Sequence, residues 1–559
     1  ALAVEALCPF HYFGIGDIGH ESEAEIGFSQ LTRAARFEHF LHHSQRLGVD
    51  ALPIKSLCFV ARVDEAEAFT EFLKKRGIAA ACVSGKDKPD VKADLIEQLE
   101  SGQINYLISV DVFNEGIDIP SVNQVLLARP TQSAIVFVQQ LGRGLRLAEG
   151  KEYLTVIDFI GHYETNFMIP TALYGDRSGN KDTLRRLMRA GEAGIPGCST
   201  VSFDRIAKER VFKAIAVAPK VGVRALKQDY QRVKARLGRT PYMMDLRAHG
   251  ELDPILYARQ SQIRSLHDFA CRYDADYPAA SLKTFPLLNW LLAEALNGIH
   301  GIEALVVQEL LYKGRVRVER LNEQSLALFG VQTNQADVDR ALHIVSLQYD
   351  PPAGSAGIEV VRNSESGEGL RTLSPVQREL INDAINWSIS AFKDRLSLGR
   401  YVNNFVVGTK YTYKETFRLL GWSKNPNPQN VGGYFLNRDT NDLAIFVNYH
   451  KSDEIAETTR YDDYFIDRDR FHWTSKSKRS MRSPEIQAIQ GQVQSGLRIP
   501  LFIRKEAESE GTARYYLGEL TYVPGTARPT MVGGSPAVSM EFQLDEPVPF
   551  KLYQHLVGG

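Results

Sequence analysis

The chain has 559 residues, of which 44% are hydrophobic and 24% charged, and its formal net charge is −1. This is sufficient for three or four globular domains, and it excludes a global basic field, so any nucleic-acid surface has to arise from local clusters. Five scattered cysteines without a C-x-x-C pair argue against a disulfide framework or a zinc site, and without a signal peptide or an apolar run of membrane-spanning length we expect a cytoplasmic protein.

Residues 1–170 alternate short apolar runs with amphipathic stretches, which is the pattern of a parallel α/β sheet. The helix-like stretches are Asp64–Arg76, with Gly77 as its C-terminal cap, and Lys88–Glu100. The predicted strands are Ser56–Ala61, Ala79–Ser84, Asn105–Val110, Gln124–Ala128 and Tyr153–Ile160.

Residues 171–370 are predicted to be mostly helical, with helices such as Val223–Leu237 and Phe285–Leu296 and a Gly-, Ser- and Pro-rich linker from Pro351 to Gly369. Leu226–Asp253 resembles a helix-turn-helix segment whose first helix is basic. Those basic residues either meet phosphates or form a solvated face of a packing helix.

Residues 371–559 begin with a predicted helix, Val376–Leu396, and then become rich in strand patterns separated by turn residues. A small β-sandwich or barrel is therefore expected at this end of the chain. The predicted strands are Ala444–Tyr449, Ile499–Arg504, Arg514–Tyr522 and Ser539–Leu544.

The most informative stretch runs from Ser109 to Arg146. An apolar strand is followed by a polar turn with Asn114, Gly116 and Asp118, and ligands bind at such strand ends in open α/β sheets. After a second strand, a helical stretch carries Arg143 and Arg146, which lie on one face because they are three residues apart. Two guanidinium groups on one face suit a cluster of phosphate oxygens.

These residues resemble motifs V and VI of superfamily II helicases. Motif V is similar to residues 112–120 (VFNEGIDIP), and motif VI, Q-x-x-G-R-x-x-R, is similar to residues 139–146 (QQLGRGLR). The strand Leu57–Ala61 with Arg62 looks like motif IV. The fold implied is the second RecA-like domain of a helicase motor, followed by a helical middle region and a β-rich end.

The resemblance implies that Arg143 and Arg146 act as arginine fingers on the γ-phosphate of ATP. Gly116, Asp118, Gln139 and Gly142 are then expected at the cofactor site. Candidates for contact with nucleic acid are Arg62, Ser84 and Asn114.

No phosphate-binding G-x-x-x-x-G-K-S/T string occurs in the sequence. We therefore expect ATP and Mg²⁺ to be held mainly by an N-terminal RecA-like domain that precedes Ala1 in the natural protein. Asp64 to Glu67 imitates the acidic magnesium box, but its place after the motif IV strand favours an acidic helix start. No metal site is predicted.

The C-terminal part resembles the uncharacterised domain that follows the motor in bacterial DEAD-like helicases, which often carry a phospholipase-D-type nuclease domain. Within it, aromatic, basic and hydroxyl residues are interleaved in a way that suits stacking and phosphate contacts. The alternative is a core tryptophan beside a solvated loop. The candidate residues for nucleic-acid contact are Trp473, Lys476, Lys478, Arg479 and Arg482.

The sequence thus predicts the C-terminal portion of an ATP-dependent helicase or translocase that acts on single- or double-stranded DNA. A role in DNA repair or antiviral defence follows from the resemblance. The alternatives are a non-catalytic DNA-binding module and a nuclease whose site lies in the C-terminal region. The expected domains are residues 1–170, 171–370 and 371–559.

Overall fold

The computed structural model describes most of the chain in two compact units, Ala1–Lys220 and Val221–Gly559. The described residues are 8–18, 34–49, 52–110, 119–129, 148, 151–176, 181–190, 199–218, 221–250, 252–260, 262–279, 282, 285–346, 373–424, 426, 433–449, 463–505 and 512–557. The predicted linker, 351–369, lies outside them, and the three-part domain division stays a prediction.

The first unit is built on a seven-stranded sheet in the order β3-β4-β2-β5-β6-β1-β7, with every neighbouring pair parallel. Its strands are β1 (Phe10–Gly16), β2 (Ser56–Val60), β3 (Ala80–Ser84), β4 (Tyr106–Val110), β5 (Gln124–Ala128), β6 (Leu154–Ile160) and β7 (Thr200–Phe203). Its α-helices are α1 (Ala34–Leu47), α2 (Val63–Lys74), α3 (Pro89–Ser101), α4 (Met168–Tyr174), α5 (Lys181–Ala190) and α6 (Arg205–Val217).

This sheet is buried on both faces, as parallel sheets generally are. Leu57 and Phe59 of β2 belong to one hydrophobic core, whereas Cys58 and Val60 belong to the other. Helices α1 and α2 pack on the second core, and α3 and α6 pack on the first. The strands are apolar along almost their whole length, so they can be recognised in the sequence.

The five predicted strands of the first unit are confirmed to within one residue at each end. The sequence did not identify β1 or β7, which pair with each other across a gap of nearly two hundred residues. Their fit depends on Gly14, because a Cβ atom there would lie 2.4 Å from Cδ1 of Phe203 on β7.

The second unit begins with a helical part around one large core. The predicted helix Val223–Leu237 is present with those bounds. The α-helices are α7 (Val223–Leu237), α8 (Met243–His249), α9 (Leu266–Tyr273), α10 (Pro286–Glu294), α11 (Ile302–Lys313), α12 (Val318–Phe329), α13 (Gln335–Val345) and α14 (Pro375–Leu396).

The rest of the second unit is β-rich, as predicted. Short helices accompany the strands, namely α15 (Tyr413–Leu419), α16 (Pro484–Gln490), α17 (Gln492–Ser495) and α18 (Phe550–Val557). The strands are β8 (Tyr401–Val402), β9 (Phe405–Val406), β10 (Lys410–Tyr411), β11 (Tyr434–Asn437), β12 (Asp442–Asn448), β13 (Tyr464–Phe465), β14 (Arg470–Thr474), β15 (Pro500–Arg504), β16 (Arg514–Tyr522), β17 (Arg528–Val532) and β18 (Ser535–Leu544).

These strands surround one hydrophobic core, across which Tyr434 of β11 contacts Trp473 of β14. Nine of them are hydrogen-bonded in one branched sheet, along the path β11-β12-β15-β16-β18-β14-β13 with β10 on β16 and β17 on β18. The branches arise because β16 and β18 are long and pair with different partners along their length. Among the helices that the structure describes, none has the length and apolarity needed to cross a bilayer.

A buried carboxyl in the first sheet gives the unit a distinctive dependence on pH. Asp158 of β6 is 2% exposed and accepts a hydrogen bond from the Tyr12 hydroxyl of β1 at 2.6 Å. Burial raises the pKa of Asp158 to about 7, from about 4 in an unfolded chain. The folded state holds this proton more tightly, so this group's contribution to stability falls as pH rises from about 4 to about 7.

We predict that Asp158→Asn abolishes this loss of stability at higher pH. The Asn amide oxygen still accepts the hydrogen bond from Tyr12, and the side chain cannot ionise. Amide hydrogen exchange of β1 and β6 measures the stability of this sheet directly. Tryptophan fluorescence would report on the second unit instead, because all four tryptophans lie there. At about pH 8 the variant should be better protected than the wild type, with the difference shrinking towards about pH 5. A difference independent of pH would contradict the raised pKa.

Candidate functional site

The carboxyl ends of the parallel strands form the edge at which open α/β sheets bind ligands. Strands β4 and β5 lie on either side of β2, and both end at this edge, at Val110 and Ala128. The candidate residues of the predicted ATP site and one nucleic-acid candidate follow these two strands. They lie outside the described residues and stay predictions: Asn114, Gly116, Asp118, Gln139, Gly142, Arg143 and Arg146.

A buried ionic cluster connects several of the elements at this edge. Arg36 of α1 is 3% exposed, and its Nε donates to both oxygens of Asp17, each at 3.0 Å. Its Nη2 also donates to Asp17, at 2.7 Å, and to the Ala128 carbonyl at 3.3 Å, while Nη1 pairs with Glu65. Asp17 follows β1, Glu65 lies in the first turn of α2, and Ala128 ends β5, so one guanidinium joins three elements.

The protonation of this cluster is governed by burial. Burial lowers the pKa of the Arg36 guanidinium, but the carboxylates of Asp17 and Glu65 more than offset this and raise it overall. Burial also raises the pKa of Glu65, against the opposing effect of Arg36. Because Arg36 stays charged, the cluster supports the elements around it at all ordinary pH values. Sequence reasoning missed this cluster, because a lone Arg in an amphipathic helix is ordinarily exposed.

Two candidate nucleic-acid residues lie at the same edge, and each has a local partner. Arg62 has a side chain that is 51% exposed and donates two hydrogen bonds to Asp64, at 3.0 and 2.7 Å. Ser84 donates from its backbone N–H and from its hydroxyl to Asp87. A nucleic-acid phosphate would therefore compete with Asp64 for Arg62 and with Asp87 for Ser84.

In the second unit, the predicted role of Trp473 is corrected. Trp473 lies on β14, is 2% exposed, and packs its ring against Tyr434 and Phe542 at centroid distances of 5.0 and 5.9 Å. The ring is enclosed in the core of the branched sheet and has no face free to stack on a base. Alternation along a strand explains this, because Phe471 and Trp473 point to the buried face.

The basic residues that follow Trp473 differ from one another in their surroundings. Lys476 is half-buried with its Nζ 4.5 Å from the centroid of the Tyr434 ring, and burial lowers its pKa. Arg479 pairs with Glu485. Lys478 and Arg482 are exposed, and neither forms an ion pair within the described part of the chain.

Arg482 borders a groove of about 420 Å³ in this region. Its other wall comes from β17 and the start of β18, and is mostly apolar, with Met531 prominently exposed. Of the predicted basic cluster, Lys478 and Arg482 are thus the residues that stay exposed.

The basic face of the helix-turn-helix-like segment is largely neutralised by the protein itself. On α7, Arg232 pairs with Asp229, and Lys234 pairs with Asp274 at 2.5 Å and with Asp276 at 3.1 Å. The ammonium of Lys227 lies 3.8 Å from the centroid of the Tyr273 ring. This face favours helix packing over phosphate binding.

The acidic loop before β14 is built as a turn. Asp467 accepts hydrogen bonds from the backbone N–H groups of Asp469 and Arg470, as a turn-forming Asp does. In the ranges that the structure describes, no three His, Cys, Asp or Glu side chains come together in a way that could hold a metal ion.

Comparison with protein-family models gives three matches along the chain. Residues 41–148 match the helicase conserved C-terminal domain, 226–357 match a domain of unknown function, DUF8090, and 405–556 match another, DUF3427. The first match runs from α1 through β5 and includes the segments after β4 and β5 that contain the predicted motifs. The chain carries a helicase C-terminal domain.

Curated relatives of this helicase domain are themselves named as helicases. IRC3 of Saccharomyces cerevisiae, whose name is that of an ATP-dependent helicase, is 30% identical over 139 residues, covering 25% of this chain and 20% of the relative. The ATP-dependent RNA helicase SrmB of Haemophilus influenzae is 32% identical over 92 residues, covering 16% and 21%. The chain therefore spans about a fifth of the length of these relatives.

Solved structures of DEAD-box proteins are also similar to this chain. Escherichia coli SrmB bound to regulator of ribonuclease activity A is 19% identical, with a TM-score of 0.22, covering 30% of this chain and 86% of that one. The C-terminal domain of Dbp5 is 17% identical, with a TM-score of 0.24, covering 38% and 98%.

We predict that Arg36→Ala lowers the free energy of unfolding of the helicase domain by about 3–5 kcal/mol, because two buried carboxylates lose their partner. The matched control is Lys75→Ala, which removes an exposed ion pair with Glu71 and should change the free energy of unfolding by less than about 1 kcal/mol. Hydrogen exchange of β2 and β5 across a urea series measures both. Equal effects would mean that the cluster contributes no more than a surface pair.

Proposed function

We propose that this chain belongs to an ATP-dependent nucleic-acid translocase, in which it supplies the second motor domain and regions that grip DNA. The observation that supports this is the order of the sheet, which brings β4 and β5 to one edge on either side of β2. The residues that resemble motifs V and VI follow these two strands. ATP and Mg²⁺ are held mainly by an N-terminal RecA-like domain of the same protein.

In this proposal Arg143 and Arg146 reach the γ-phosphate of an ATP bound by the other motor domain. They stabilise the charge that develops on the transferring phosphoryl group. Gly116, Asp118, Gln139 and Gly142 complete this side of the cofactor site. The Arg36 cluster supports them by holding the end of β5, since misplacement of a catalytic group by about 1 Å costs much of its effect.

The nucleic acid is DNA in this proposal, single- or double-stranded. Lys478 and Arg482 of the second unit contact its phosphates, while Arg62, Ser84 and Asn114 contact the strand at the motor. RNA is the competing substrate, since SrmB is named as an RNA helicase. The sequence resemblance suggests a role in DNA repair or in defence against foreign DNA, together with a nuclease domain.

We predict that Arg143→Ala or Arg146→Ala in the full-length protein reduces DNA-stimulated ATP hydrolysis by about a hundredfold or more, as loss of an arginine finger does. ATP binding should change little, because the phosphate-binding loop belongs to the other domain. Steady-state hydrolysis and nucleotide binding are measured with single-stranded DNA, duplex DNA and RNA as activators.

The matched control is Arg205→Ala, which removes an exposed helical arginine that pairs with Glu209 and should leave turnover unchanged. Unchanged turnover in both finger variants would reject the motor role. Magnesium-dependent DNA cutting without ATP would instead favour the nuclease alternative.

We also predict that the double variant Lys478→Ala, Arg482→Ala weakens DNA binding and reduces the slope of log K against log salt by about 0.7–0.9 for each lost phosphate contact. Fluorescence anisotropy across a salt series measures the slope. Lys313→Ala, an exposed lysine at the end of α11, is the control and should leave it unchanged. If the double variant keeps the wild-type slope, these residues do not contact phosphates.

A further inference from the structure

A mostly apolar cavity of about 250 Å³ lies within the helical part of the second unit. It is enclosed by the starts of α8 and α9, the middle of α10 and the first turns of α14. Its apolar lining comes from Met243, Leu266, Ala270, Leu288, Leu292 and Leu380. The cavity opens to solvent on the side of its exposed lining residues, which are Arg239, Pro278, Val376 and Glu379.

The volume of this cavity suits a ring-sized organic group. An apolar cavity of about 150 Å³ in a protein core stays free of water and holds a benzene molecule. At about 250 Å³, this cavity has room for a six-membered ring with a short chain. Sites for small molecules are typically apolar concavities of this kind with a few polar groups that fix the orientation of the ligand.

One face of α14 brings two carboxyl groups to the cavity. Glu379 and Asp383 lie four residues apart, so their side chains are neighbours on the helix. Glu379 is exposed, and its Oε1 accepts from the Tyr242 hydroxyl at 2.7 Å. Asp383 is half-buried and accepts the backbone N–H groups of Met243 at 2.7 Å and Met244 at 3.1 Å. Both acidic residues line the cavity and retain accessible surface, so a ligand can reach them.

The positive groups around the cavity do not neutralise these two carboxylates. Arg239 lines the cavity, but its guanidinium donates to both oxygens of Asp245, at 2.6 and 2.9 Å. His267 is buried, and burial lowers the pKa of its ring, so the ring is uncharged at neutral pH. Within the described part of the second unit, neither Glu379 nor Asp383 forms an ion pair.

The pKa of Asp383 reflects this excess of negative charge. It is raised to about 6, first by burial and then by the charges of Asp245 and Glu379, against the effect of its two backbone hydrogen bonds. Asp268, which follows His267 on α9, brings another negative charge to the neighbourhood. Like charges four residues apart on a helix destabilise it. A bound cation would relieve this repulsion, whereas a bound anion would increase it.

We propose that this cavity binds a small organic ammonium ion, with its hydrocarbon part against the leucines of α9 and α10 and its charged group against Glu379 and Asp383. The apolar walls favour the hydrocarbon part, and the carboxylates reject carboxylic acids and phosphates of the same shape. The inference goes beyond the proposed function and does not depend on it, because no lining residue is a predicted contact of ATP or nucleic acid.

Calorimetric titration of the full chain with a panel of small probes tests this assignment. Phenethylamine should bind at least about tenfold more tightly than phenethyl alcohol, which lacks the charge, or ethylamine, which lacks the ring. Phenylacetate has a similar size and the opposite charge, and it should not bind. If a probe without the positive charge or without the ring binds as tightly as phenethylamine, or if no probe binds, the proposal is overturned.

Glu379→Gln removes one negative charge, while its amide oxygen still accepts from Tyr242. The variant should lose about tenfold in phenethylamine affinity and keep the weaker affinity for phenethyl alcohol. The matched control is Glu319→Gln, which changes an exposed glutamate in the first turn of α12 and should leave both affinities unchanged. Wild-type phenethylamine affinity in Glu379→Gln, or an equal loss in the control, would contradict the proposal.

Ala279→Leu tests the location of the site. Ala279 lines the cavity and is only partly buried, so a leucine there can extend into the cavity without overpacking the core. The variant should bind phenethylamine and phenethyl alcohol more weakly, while circular dichroism shows an unchanged helix content. Unaltered phenethylamine affinity would place the binding elsewhere on the protein and reject this cavity.

Discussion

The ligand edge of the first sheet depends on the buried contact between Arg36, Asp17 and Glu65. Removing three charged groups from water is unfavourable unless they satisfy one another, and here a single guanidinium meets both carboxylates and the Ala128 carbonyl. The contact fixes the end of β1, the start of α2 and the end of β5 relative to one another. The strand that leads into the predicted finger segment is therefore anchored to the centre of the sheet.

The second unit uses its charges in a different way. Most cations that the sequence marks as nucleic-acid contacts are bound to its own carboxylates or rings, as Lys234 is to Asp274 and Lys476 is to Tyr434. Of the basic residues that follow Trp473, Lys478 and Arg482 stay exposed. With a net charge of −1, such a protein has little long-range attraction for nucleic acid. Any recognition of nucleic acid by these regions has to depend on local contacts.

A buried hydrogen-bond network joins the helical part of the second unit to its β-rich part. Glu303 and Arg340 belong to the helical part, while Tyr401 and Asn404 belong to the hairpin that opens the β-rich part. His300 bridges them with both of its ring nitrogens. A buried polar chain of this kind is stable when each member is satisfied, and Arg340 is the member that is not.

The sequence by itself determined the helicase-like motifs, the five strands of the first sheet that follow one another closely, and several helices, including Val223–Leu237. These features are local, because hydrophobic periodicity and motif spacing are written in consecutive residues. It could not identify β1 and β7 as neighbours, show that Tyr434 and Phe542 enclose Trp473, or find the Arg36 cluster and the buried network around Arg340. Each of these joins residues far apart in the chain, and only the tertiary structure decides which distant charges meet and which side chains are left without a partner.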